Sequence, residues 1–201
     1  MQRFLYLAVV ILALAGWLYT SGQIGSVSLG PGVKAPEKPF QTSARSGKFS
    51  FEGYQITPLA EFQITGKVLA RSNYFLGREA DLSPVDLAMG WGRMSDEAVL
   101  EQLKITQSGR WYYWKTKDQY PIPRREIETH SANMHMIPGN SRVKAKLKRV
   151  KKGMVVSITG KLVQVDGEDG WRWVSSTTRQ DTGGGACEVI FIEELSIVER
   201  G

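Results

Sequence analysis

His130 and His135 are the only histidines in the chain, and both lie in THSANMHMIPGN, residues 129–140. With Cys187, the only cysteine, they are the side chains best suited to nucleophilic or metal chemistry. A thiolate–imidazolium pair between Cys187 and either histidine would make a nucleophile, and the nearby Gly183-Gly184-Gly185 would let a substrate approach the backbone. The spacing works against a joint histidine site, because i, i+5 puts two imidazoles on one side of neither a helix nor a flat strand. A metal site would need loop geometry and distant ligands; Asp166, Glu168, Asp169 and Asp181 exist, but no pattern brings them near. The plainer reading makes 129–140 an ordered loop, with Ser131, Asn133 and the histidines satisfying backbone groups ahead of an Ile137-Pro138-Gly139-Asn140 turn. Cys187 likewise opens an apolar alternation with Val189 and Phe191 that reads as core, where a thiol is inert. The expectation is therefore no catalytic residue, no metal and no cofactor.

Binding chemistry is better represented. RVKAKLKRVKK, residues 142–152, carries seven basic residues in eleven. As a helix it would gather Val143, Leu147 and Val150 on one face and leave Lys144, Lys148 and Lys151 around it, although the run also alternates as a strand. Beside anionic lipid each such cation contributes on the order of 1 kcal/mol. Two aromatic clusters, Trp111-Tyr112-Tyr113-Trp114 and Trp171 with Trp173, are the other candidates. Period two divides the first, turning Trp111 and Tyr113 opposite to Tyr112 and Trp114, so one pair is expected to face solvent. Lys144, Lys148, Lys151, Trp111, Trp114, Trp171 and Trp173 are the expected binding residues. Asp181-Thr182-Gly183 imitates the catalytic triplet of aspartic proteases, but that chemistry needs a second carboxylate, no second triplet occurs, and a glycine-rich hairpin turn accounts for the residues.

What must position these side chains is a chain of 201 residues with 42% hydrophobic and 23% charged content, enough for one cored domain plus an appendage. One cysteine excludes an intramolecular disulfide and a cysteine zinc cluster. The appendage is the run Phe4–Tyr19, sixteen residues without a charge behind Met1-Gln2-Arg3. It reads as a transmembrane signal anchor over 1–20, with Ala13-Leu14-Ala15 offering the alternative of cleavage and secretion. The apolar run continues past that point, which favours the anchor. Arg3 precedes the run and the next basic residue after it is Lys34, so the domain is expected outside the cytoplasm, in the periplasm. There a net charge of +6 meets anionic lipid, envelope polymers and other proteins, and nucleic acid is disfavoured as a partner.

Residues 21–49 are rich in Gly, Ser and Pro and read as a flexible tether to a β-rich domain over 50–201. EFQITGKVLARS alternates as a strand with Phe62, Ile64, Val68 and Ala70 on one face. Ser83-Pro84 suggests the cap of a short PVDLAM helix stopped at Gly90, and Ser95 that of a second helix, DEAVLEQL. RWYYWK, MVVSITGKLVQV with a bend at Gly160, WRWV after the DGEDG turn, and CEVIFIEEL complete the strands. The run GMVVSITGKLVQV resembles the curved strands of OB-type barrels. The wider set MGWGRMSD, SGRWYYW, SANMHMIPGN and DTGGGACE is similar to an uncharacterised bacterial family of small exported or membrane-anchored proteins, and that similarity carries over no functional residue. The expected fold is mainly β (α+β), a small OB-like or SH3-like barrel with one or two short helices and an N-terminal transmembrane helix.

The resulting functional expectation is a membrane-anchored, extracytoplasmic binding or accessory protein without catalytic activity, presenting this domain to a protein, polymer or anionic membrane. The alternatives are an envelope hydrolase using His130, His135 and Cys187, and an OB-type nucleic-acid-binding domain.

Overall fold

A computed structural model describes residues 2–20, 25–178 and 187–199. The chain is mainly β with several short helices. A first helix, α1 (Gln2–Thr20), takes up the apolar run, and its described large side chains from Phe4 to Leu14 are exposed. At 1.5 Å per residue its 19 residues extend about 28 Å. Among the described residues, no helix is long and apolar enough to cross a membrane.

Five strands then close on themselves. The long β3 (Tyr54–Asn73) pairs antiparallel with β4 (Val85–Gly90), β4 with β7 (Ser131–Pro138), and β7 runs parallel to β10 (Glu188–Glu199). β10 pairs antiparallel with β8 (Val155–Asp166), and β8 returns to β3 along its whole length. The fourth barrel strand, β8, thus lies beside the first, which is the 4-1-2-3 arrangement of a Greek key. Short strands extend the wall: β1 (Phe40–Ser43) and β2 (Phe49–Phe51) on β3, and β9 (Arg172–Val174) on β8. A separate hairpin, β5 (Leu103–Ser108) and β6 (Trp111–Thr116), is inserted between β4 and β7.

Alternation drives the closure. Phe62, Ile64 and Val68 of β3 meet Leu87 and Met89 of β4, Met134 and Met136 of β7, and Ile158 and Ile190 inside the barrel. At roughly 25 cal/mol per Å2, this burial is the main favourable contribution to folding. The expected face of β3 is present as far as Val68; a bulge then turns Ala70 to the outside, into a cluster with Leu69, Ala88 and Leu103 under the hairpin. The basic run forms α5 (Ser141–Leu147), capped by the Asn140 side chain on the Val143 N–H, and it lays Val143, Leu147 and Val150 into the barrel core.

Three local expectations are corrected. PVDLAM is no helix: Val85–Gly90 is β4, buried on both faces because the barrel interior covers one and the hairpin the other. The local helix instead precedes it, α2 (Arg78–Leu82), with Ser83 at its C-terminal end. The second helix shrinks to α3 (Glu97–Leu100), and its cap is Asp96, whose carboxylate accepts from the Ala98 N–H; Ser95 ends a 3-10 turn over Gly92–Ser95. Residues 129–140 are no loop, since α4 (Arg124–Thr129) leads straight into the central strand β7. Among the described residues, four short α-helices follow α1, where one or two were expected.

The described part of 21–49 is held against the domain. Glu97 accepts from Ser28 Oγ (2.6 Å) and from the backbone N–H groups of Leu29 (2.7 Å) and Gly30 (2.8 Å), and it also binds Lys67 Nζ (2.6 Å). Asp96 takes the Gly32 N–H, and Ser95 Oγ takes those of Lys34 and Ala35. Gly153, in the left-handed region at φ +90°, lets this strap pass: a β-carbon there would lie 1.7 Å from the Val27 carbonyl oxygen.

Candidate functional site

The register of β4 against β7 pairs Asp86 with His135. Their neighbours Leu87, Met134 and Met136 fill the barrel, so Asp86 and His135 point to its outer face. The parallel pairing of His135 with Val189 brings Cys187, two residues earlier, to the same face. Asp86 is completely buried and His135 is 4% exposed, while Cys187 is half-buried. Asn133, on the same face of β7, donates through Nδ2 to the Arg110 carbonyl (2.9 Å) and lies 4.0 Å from Cys187 Sγ.

The hairpin closes over this group from above. Arg110, at the β5–β6 turn, sits in the left-handed region at φ +65°, a conformation that costs a non-glycine residue roughly 1 kcal/mol. Its side chain and backbone offset that cost. Nη1 binds Asp86 Oδ1 (2.8 Å), Nη2 donates to the Ser83 carbonyl (3.0 Å), and the backbone N–H donates to Tyr74 Oη (3.0 Å). The guanidinium also lies 4.1 Å from the Tyr74 ring centroid and 5.3 Å from that of Trp173. Trp173 in turn packs on the His135 ring at 4.9 Å.

His135 Nδ1 is 3.0 Å from Asp86 Oδ1, but off the hydrogen-bonding direction, so the contact is an ion pair. Burial disfavours the charged imidazole; the Asp86 carboxylate and the Cys187 sulfur outweigh it and raise the His135 pKa to about 9. Burial and the same Asp86 charge push the Tyr74 hydroxyl up. The cluster is therefore Arg110, Asp86 and His135 as alternating charges, with Cys187 at its open end. Among the described residues, no group of three or more His, Cys, Asp or Glu side chains could hold a metal.

His130 does not join this group. It ends α4, its Nδ1 lies 3.2 Å from the Glu126 carbonyl oxygen, an acceptor, and 3.1 Å from the Thr129 hydroxyl, and its ring packs on Trp91 and Gly92. Five strand residues at about 3.3 Å each separate it from His135. Asp166 pairs with Arg172 and Asp169 with Arg78, away from both histidines. Asp181-Thr182-Gly183 and Gly184-Gly185 fall outside the described residues.

A second arrangement is electrostatic. An open pocket of about 440 Å3 lies between α5 and the end of β3. Arg71, Lys144, Lys148 and Lys151 supply its charge, and Leu147, Val150 and Pro84 much of its apolar wall. Phe75 also lines it and is 62% exposed; its neighbour Leu76 is 92% exposed. Among the described residues, Lys144, Lys148 and Lys151 make no ion pair. Of the aromatic candidates, Trp111 and Tyr113 are exposed, as the alternation requires, whereas Trp114 packs with Tyr112 on the cluster beneath the hairpin. Trp171 and Trp173 pack against the apolar cluster around Val163 and Phe191.

Asp86, Arg110, Phe75 and Leu76 are the site residues that the sequence reading does not single out. Asp86 leaves one signal, an acid in the middle of an apolar run. No protein-family model matches the chain, and neither does any curated protein or solved structure.

Proposed function

We propose that the protein is a membrane-associated accessory protein whose barrel, of OB type, docks on anionic lipid through the face formed by α5 and the Phe75-Leu76 loop. The observation that carries this reading is the juxtaposition, at one pocket, of Lys144, Lys148 and Lys151, which make no ion pair among the described residues, with exposed Phe75, next to which Leu76 is more exposed still. Cations meet lipid phosphates while Phe75 and Leu76 enter the headgroup–acyl boundary. The charge-free run Phe4–Tyr19 within α1, with its described large side chains exposed, supports an association with the same bilayer, and Arg3 ahead of that run favours an extracytoplasmic domain.

The barrel assignment rests on the five-stranded Greek-key path, which an OB-type fold shares. In such barrels the face of the second and third strands takes oligonucleotides or oligosaccharides. Here the corresponding outer face, on β4 and β7, is packed beneath the β5–β6 hairpin, which argues against nucleic acid at that place.

Vesicle co-sedimentation of residues 25–201 tests the docking. The domain is expected to pellet with vesicles containing phosphatidylserine and to stay in solution with phosphatidylcholine alone. Replacing Lys144, Lys148 and Lys151 by alanine removes about 3 kcal/mol, a roughly 100-fold loss of partitioning. Equal binding to both vesicle types, or binding unmoved by the triple substitution, would refute the reading.

A further inference from the structure

The pocket beside α5 leaves the buried charges behind Tyr74 unexplained. Asp86 and Arg110 account for each other, yet His135 adds a second cation against the same carboxylate. Asp86 Oδ2 and His135 Nδ1 are both buried without a hydrogen-bond partner among the described residues. Buried polar atoms are normally satisfied, so two such atoms on facing residues call for a reason. Cys187 stands at the open end of the set, its Sγ 4.0 Å from both the Asn133 amide nitrogen and the Arg110 carbonyl oxygen and on the same strand face as His135.

We propose that Cys187, His135 and Asp86 form a nucleophilic thiol site on the outer face of β4, β7 and β10, which accepts an acyl group from an activated ester or thioester. Cys187 is the nucleophile, and its half-exposed position gives a substrate access to the sulfur. His135 is the proton donor and acceptor. Asp86 is a positioning residue, since it acts by fixing the imidazole. Nδ1 faces the carboxylate, which leaves Nε2 to serve the sulfur. The off-axis contact between His135 and Asp86 matches the loose hydrogen bonding of acid–base sites before substrate binds. One Asn133 N–H is spent on the Arg110 carbonyl, and the amide lies 4.0 Å from Sγ, placed to meet a developing oxyanion.

In the first step the thiolate attacks the carbonyl carbon, the C–S bond forms and the π electrons move to oxygen. When the carbonyl re-forms, the C–O or C–S bond to the leaving group breaks, and the departing alkoxide or thiolate takes the Nε2 proton. Water then attacks the acyl sulfur ester, gives a proton to His135 and releases the carboxylic acid with the thiolate regenerated. The charged and titratable groups around His135 are Asp86 on β4, Cys187 before β10, Arg110 on the hairpin and Tyr74 after β3, with Glu188 buried next to Cys187.

Two measurements on the full chain test this. Iodoacetamide alkylation of the folded wild type is expected to be nearly level between pH 6 and 8, the profile that a sulfur activated by a neighbouring imidazole gives. At pH 6 it should exceed that of His135→Gln on the order of 100-fold, the deficit of an ordinary thiol of pKa about 8.5. Asp86→Asn should shift the profile towards higher pH without abolishing the reaction. With p-nitrophenyl acetate, nitrophenolate release should coincide with one acetyl group on Cys187, absent in Cys187→Ser. A wild-type alkylation rate that climbs with pH as a free thiol does, or a thiol that reacts only after denaturation, overturns the proposal. That outcome is read on the wild type, so it stands even where a variant fails to fold, and it bears in no way on lipid docking.

Discussion

Asp86 holds two cations with one buried carboxylate, and its loss should be felt more strongly than that of any surface charge. Asp86→Asn leaves Arg110 and His135 without a counter-charge, and breaking one partner of a buried pair costs roughly 3–5 kcal/mol. Urea denaturation at pH 7 should show a fall of that size; a change within the range of surface substitutions would mean that water screens the cluster. The imidazole adds a pH dependence of definite sign. Its folded pKa lies near 9 and the unfolded value near 6.5, so its contribution is complete below about 6.5 and disappears as pH rises through about 9. In Cys187→Ala, where Asp86 is left to hold the imidazole charged, the urea midpoint should still decline as pH rises above 6.5, over a window that closes below 9, and in Cys187→Ala/His135→Gln it should stay level. His135 and Cys187 were both visible in the sequence as reactive types. Asp86 was not, because its meaning comes from a cross-strand register 49 residues away, and nothing local to VDLAM encodes that pairing.

At the scale of elements, local pattern and tertiary packing disagreed where strands are covered on both faces. Val85–Gly90 carries a proline-led start and a glycine stop, the punctuation of a short helix, yet its barrel and hairpin neighbours bury it throughout as a strand. Ala132, Met134 and Met136 alternate with Ser131, Asn133 and His135, so β7 was legible by period two, but its polar outer residues disguised it as a loop. By contrast β8 was legible as a strand from its alternation, and the basic run, which its pattern allowed as helix or strand, folds as the helix whose face gathers Val143, Leu147 and Val150. The strap over 25–35 depends on side chains of residues 95–97, about 60 residues downstream, which composition cannot reveal. Glu97 is its centre. Burial opposes its charge, but the Leu29 N–H, Lys67 and Ser28 together lower its pKa to about 2. The carboxylate thus adds stability above about 4.5 that vanishes as pH falls through about 2, on the order of 3 kcal/mol. Glu97→Gln should abolish this acid sensitivity of the urea midpoint and open residues 25–35 to limited proteolysis at pH 7. Unchanged cleavage would show that Asp96 and Ser95 hold the strap alone.

The molecule as a whole depends on β8, which shares one edge with β3 and the other with β10 and so closes the barrel. Closure requires two backbones to approach closely at Gly160. A β-carbon there would lie 2.1 Å from the Phe191 carbonyl oxygen, a backbone atom that cannot swing aside as a side chain can. Gly160→Ala must therefore push β10 away from β8, loosening the parallel β10–β7 pairing and, with it, the register that sets Cys187 beside His135. Gly47→Ala is the matched control, because nothing lies within 4 Å of its β-carbon and its backbone angle is ordinary. The expected result is a loss of about 2–4 kcal/mol for Gly160→Ala, in the range of other overpacked or strained sites, with a change of less than about 0.5 kcal/mol for Gly47→Ala. Hydrogen exchange adds a spatial reading: protection should fall along β8 and β10 together, while the β5–β6 hairpin, whose ladder is separate, keeps its own. Equal stability of the two variants would mean that the barrel tolerates an opened seam, and the cross-strand site would then need another source of rigidity.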